Sequence, residues 1–182
     1  LSNRKEKKMV NIRRGTFETN SSSTHSICVC KEDRGIEFPE RIDIDLNDFK
    51  FGWEHEKYCS SDEKLAYIIF GILTETYNEG FATGIVKIKK LLDTVGKWVK
   101  TVHIRDLELV TYEGKTYLES EDGYVDHASE MKDFTDALLA DEELLKRYLF
   151  STDSFILTGN DNEDDSIDIN VDYDYDEFYK GN

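Results

Sequence analysis

Three separated stretches of this chain carry side chains that can move a proton or grip an anion: His25, the adjacent Asp126 and His127, and Asp161. Imidazole, with an ordinary pKa near 6.5, accepts or donates a proton around neutrality and binds metals when neutral. Two imidazoles with a carboxylate suit a divalent metal, and they also suit divided acid and base roles in hydrolysis or phosphoryl transfer. Ser21, Ser22 and Ser23 run up to His25. Their hydroxyls and backbone N–H groups can present donors to a phosphate, or they can cap their own turn. Arg13 adds a planar donor fork; Arg14 beside it points to the opposite face of a strand, so only one of the two is assigned to the site. Asn160, in Gly159-Asn160-Asp161-Asn162, sits where polar site residues are commonly placed, just past a strand end. Gly and Asn also make ordinary turns there. The expected catalytic set is therefore His25, Asp126, His127 and Asp161, and the expected binding set is Arg13, Ser21, Ser22, Ser23 and Asn160.

Each assignment has a plainer structural counterpart. Asp126 or Ser129 can cap a helix, leaving His127 in its first turn. The run from Asp161 lacks the glycine and glutamate spacing of a calcium loop. No G-x-S-x-G elbow, H-E-x-x-H helix, Walker loop or dinucleotide glycine pattern is present.

These residues need a scaffold, and the hydrophobic periodicity supplies one. Strands are expected over 12–16, 26–31, 40–46, 101–110, 116–119 and 154–158, with Tyr112-Glu113-Gly114-Lys115 as a hairpin turn. The segment 17–26 reads as a polar loop. A helix capped by Ser61 and ended by Asn78-Glu79-Gly80 buries Leu65, Ile68, Ile69, Ile72 and Leu73. A second is expected over 83–99, and shorter ones over 127–139 and 141–150. Strands on both sides of a helical middle predict one α+β domain over 9–170, with a mixed or mainly antiparallel sheet packed by a central helix pair and further short helices. Residues 1–8 are expected to be a basic extension and 171–182 an acidic, aromatic tail.

The segment Arg13-Arg14-Gly15-Thr16-Phe17-Glu18-Thr19-Asn20-Ser21-Ser22-Ser23-Thr24-His25-Ser26 resembles the opening of a family of uncharacterised bacterial and phage-encoded proteins. The likeness extends to Gly123-Tyr124-Val125-Asp126-His127-Ala128-Ser129 and Thr158-Gly159-Asn160-Asp161-Asn162. It implies a site shared by these segments and carries no activity with it. Relatives usually have Gln where this chain has Ala128, so no side-chain role is implied there.

Charge narrows the function classes. Thirty-nine acidic against 23 basic residues give a formal charge of −16, which opposes direct nucleic-acid binding. No apolar run spans a bilayer and no secretory leader opens the chain, so a cytoplasmic location is expected. Three cysteines do not make a disulfide framework; Cys28 and Cys30 read as reduced structural thiols. The sequence therefore leads to a polar site for a phosphate-bearing small molecule, with hydrolysis and a divalent metal among its chemistries. The competing expectation is a noncatalytic acidic module, of the kind a phage inhibitor uses to mimic nucleic acid, with residues 161–177 taking a basic protein partner.

Overall fold

Residues 65–73 are apolar on every face, so a helix built around them has to be surrounded by protein there. In the computed structural model, which describes residues 9–10, 23–160, 169–170 and 174–180, this is α1 (Ser61–Glu79). Leu65, Ala66, Tyr67, Ile68, Ile69 and Ile72 on it have no exposed surface. Glu63 accepts from the backbone N–H groups of Cys59 and Ser60, each at 2.9 Å, which makes Ser60, not Ser61, the cap. Gly80 ends the helix, and α2 (Phe81–Val95) follows at once and packs against α1. The second helix is shorter than its apolar pattern implies, because Gly96, Lys97 and Trp98 close it with a tightened turn.

The strands, in chain order, are β1 (Met9–Val10), β2 (Ser23–Cys30), β3 (Arg41–Asp45), β4 (Lys50–Phe51), β5 (Lys57–Tyr58), β6 (Thr101–Arg105), β7 (Glu108–Tyr112), β8 (Lys115–Glu119) and β9 (Tyr124–Val125). Then come α3 (Lys132–Ala140), α4 (Glu142–Phe150), β10 (Phe155–Asn160), β11 (Ile169–Asn170) and β12 (Tyr175–Lys180). The main sheet is antiparallel in the order β12-β2-β10-β5. β3 pairs with β6, and β4 with β9, in parallel, while β1 pairs with β11 antiparallel. The result is one α+β domain with mixed β-structure, packed by the α1–α2 pair and shorter helices.

Several elements depart from the expected boundaries. The stretch 101–110 is two strands, because Asp106 takes a positive φ of 58° and turns the chain. Glu113 and Gly114, at φ 50° and 76°, supply the two left-handed residues that a tight hairpin needs. β2 begins at Ser23, so Ser23, Thr24 and His25 belong to the sheet and not to a polar loop. Within the stretch 171–182, residues 175–180 form a strand. β12 hydrogen-bonds to β2, with Tyr175 against Phe155 and Phe178 against Phe134, so these aromatics join the sheet and core. The expected strand over 12–16 lies outside the described residues. Among the described residues no helix is long and apolar enough to cross a membrane.

Candidate functional site

β2 and β10 are neighbours in register, pairing His25 with Thr158, Thr24 with Gly159 and Ser23 with Asn160. The chain therefore enters β2 and leaves β10 at the same end of the sheet. Two polar segments some 135 positions apart in sequence are brought side by side through this backbone pairing alone.

The third segment reaches the same place through residues 51–56. Its strand β9 lies beside β4, and the Asp126 N–H donates to the Phe51 carbonyl at 2.9 Å. The next carbonyl, that of Gly52, accepts from His25 Nε2 at 3.2 Å. A carbonyl can only accept, so Nε2 carries the proton. His25 Nδ1 then accepts from the Tyr67 hydroxyl at 2.8 Å. Burial holds that phenol well above its usual pKa, which keeps it a donor. Further along, the Thr158 hydroxyl donates to the Glu54 carbonyl at 2.5 Å, and the Thr158 N–H donates to the Glu56 carbonyl at 3.0 Å. The 51–56 loop is thus fastened to all three segments.

Close backbone approach explains two glycines here. A Cβ on Gly123 would run into the Leu46 carbonyl, so the Gly123-Tyr124-Val125 strand can lie down only without one. A Cβ on Gly159 would stand 3.2 Å from the His55 ring, which packs over this strand.

The expected site residues fall into distinct roles. His25 has no exposed surface, and its ring hydrogen-bonds to the Tyr67 hydroxyl and the Gly52 carbonyl, positioning both. Asp126 and His127 are at the surface, with His127 Nε2 3.7 Å from Asp126 Oδ1. His127 takes a left-handed backbone at φ 52°, and the expected helix start is instead a 3₁₀ turn over Ala128–Met131. Its side chain makes no cap, and the Asp126 backbone N–H donates to Phe51. Ser23 is buried at the start of β2. Asn160 is placed by its backbone alone, opposite Ser23. Arg13, Ser21, Ser22 and Asp161 lie outside the described residues. Among the described residues no three His, Cys, Asp or Glu side chains gather closely enough to hold a metal ion.

Sequence reasoning passed over Trp53, Glu54 and His55, which the fastened loop holds at the surface. Glu54 Oε2 and the Tyr124 hydroxyl both lie within 3.4 Å of the point where a Gly52 Cβ would be. The 51–56 loop and the segments fastened to it thus carry an exposed indole, a phenol, imidazoles and carboxylates. Such a set can stack a planar ring and hydrogen-bond to polar groups beside it. Comparisons with protein-family models, with curated proteins and with solved structures give no match.

Proposed function

We propose that the surface built on residues 51–56 binds a phosphate-bearing small molecule, with a nucleotide as the member of that class it suits best. The observation behind this is the attachment of segments 23–26, 124–127 and 158–160 to a single loop that exposes Trp53 and His55. A base would stack on Trp53, and His55 and His127 would donate to phosphate oxygens. His25 acts as a positioning residue, since both its nitrogens are spent on protein partners. Arg13, Ser21 and Ser22, which precede β2 in the chain, remain part of the proposed binding set, and Asp161, which follows β10, remains part of the proposed catalytic set. A hydrolytic version would use His127, steadied by Asp126, to activate water. Cytoplasmic action is part of the same proposal, and free Cys28 and Cys30 thiols accord with a reducing compartment.

Trp98 is the second tryptophan and packs edge-on against Phe150. A Trp98→Phe protein therefore reports on Trp53 alone. Titration with AMP, ADP, ATP and adenosine should quench it saturably, more tightly for the phosphorylated members. Replacement of His55 and His127 by Ala should weaken the phosphate preference. A flat titration with all four compounds, together with unchanged behaviour of the His55 and His127 variants, would discard the proposal.

A further inference from the structure

A separate cavity of about 450 Å³ opens at the start of α1, within the size range of small-molecule sites. Its lining includes the apolar Phe38, Ile42, Leu149 and Phe150 together with Ser60, Ser61 and Lys64. Lys64 is 1% exposed and still borders this space. Its Nζ donates to two backbone carbonyls, Ser151 at 2.9 Å and Ser154 at 3.2 Å. An ammonium has three hydrogens to give, and among the described residues no carboxylate lies within ion-pair reach of this one. A buried cation without a counter-charge is costly, and an anion delivered from the cavity removes the cost.

We propose that this cavity is a second binding site, for a small amphipathic monocarboxylate whose carboxylate accepts the remaining Lys64 hydrogen while its apolar body lies against Phe38 and Phe150. One negative charge is the right number. Glu37, Asp43 and Asp62 also border the cavity, and Asp43 already occupies Arg41 through contacts of 2.5 and 2.6 Å, so a phosphate dianion would meet more repulsion than attraction. Phe38, half exposed and edge-on to Phe150 at 5.1 Å, offers an aromatic rim for the apolar part. Burial also lowers the Lys64 pKa to about 8, the expected state of an ammonium still lacking its anion.

Hexanoate and its uncharged analogue hexanamide, added to the full chain, test this by amide NMR. Hexanoate should shift the amides of residues 60–62 and 150–152 saturably, and hexanamide should bind at least about tenfold more weakly. Lys64→Met should erase the preference for the acid. Equal binding of acid and amide, binding of neither, shifts confined to other residues, or an unchanged preference in folded Lys64→Met would each overturn the assignment. Should that variant fail to fold, the NMR titration of the Lys64 Cε resonance in the unaltered protein decides. Hexanoate must move its midpoint upward, and an unmoved midpoint overturns the site.

Discussion

Lys64 and Glu75 are two buried charges on one helix, and their surroundings could hardly differ more. They are eleven positions apart on α1, about three turns, so they share a helix face roughly 16 Å apart along the axis. Glu75 is met from two other helices. Lys87 of α2 pairs with it, the Thr135 hydroxyl of α3 donates to it at 2.8 Å, and Lys132 stands 3.9 Å away. Asp136 in turn holds Lys87 at 2.7 Å. Lys64 has backbone carbonyls and a cavity instead. One end of α1 carries a closed ion network that fastens three helices together. The other end carries a charge that, among the described residues, has backbone carbonyls and no carboxylate within ion-pair reach. A compensated buried charge belongs to the architecture, whereas an uncompensated one beside open space points outward to a ligand.

The comparison breaks first at Lys87. Replacing it by Met strips Glu75 of its nearest cation and leaves a buried carboxylate with a hydroxyl and a more distant lysine. The expected loss is about 3 kcal/mol, measured by urea denaturation at neutral pH. A loss near zero would mean that Glu75 is already satisfied by Thr135 and Lys132, and the contrast with Lys64 would weaken.

Lys64 should respond differently, and pH exposes the difference. Its folded pKa of about 8 lies below the ordinary 10.5. Between these values the unfolded chain holds more protons at this position, so the group adds stability as pH rises. Below about pH 8 that gain is absent, because the buried amine is charged. The stability of the unaltered protein relative to Lys64→Met should therefore climb by about 1.4 kcal/mol per pH unit from pH 8. Comparing the two proteins removes a competing effect. Burial, with Glu177 as a lesser contributor, raises the Cys28 thiol to about 12, which lowers stability above its ordinary value of 9 in both. A stability difference that stays constant from pH 7 to 10 would show that Lys64 is not held in a desolvated state.

How much of this was legible beforehand depends on whether burial came from the local pattern or from distant neighbours. The α1 stripe, its Gly80 stop and the Glu113-Gly114 turn are local events, and the residues announce them. β2 is only half announced. From Ser26 onward it reads as a strand, but Ser23, Thr24 and His25 look like loop because their polar side chains mask positions that pair with β10, His25 pairing with β12 as well. The 51–56 loop was invisible, since β4 and β5 are two residues each and too short to show a period. Lys64 was misleading for a similar reason. Asp62-Glu63-Lys64 looks like an exposed first turn, and only the connection from α4 to β10 buries it.

His25 gives a third buried titratable group, and it belongs with Glu75: both nitrogens have partners inside the protein. Tyr67→Phe removes one of them while leaving the ring that packs on Phe51. The expected destabilisation is about 1–2 kcal/mol, smaller than at Lys87 because a neutral acceptor is orphaned in place of a charge. The ¹⁵N shifts of the His25 ring should report the lost donor at Nδ1, with Nε2 still protonated toward Gly52. Unchanged shifts would mean that Tyr67 does not donate to this ring.

The smallest effect is expected at Lys132, and its value lies in what it does in combination. The side chain is nearly half exposed and shares itself among Asp136 at 2.8 Å, Glu79 at 3.0 Å and the farther Glu75. Solvent screens such pairs, so Lys132→Ala alone should barely move the unfolding midpoint. In a Lys87→Met protein the same change removes the last cation near Glu75 among the described residues and should cost clearly more than it does by itself. That non-additivity follows from two lysines serving one buried carboxylate, the near one filling the role and the far one held in reserve. Strict additivity in the four-protein cycle would sever Lys132 from the network and leave Glu75 dependent on Lys87 and Thr135 alone.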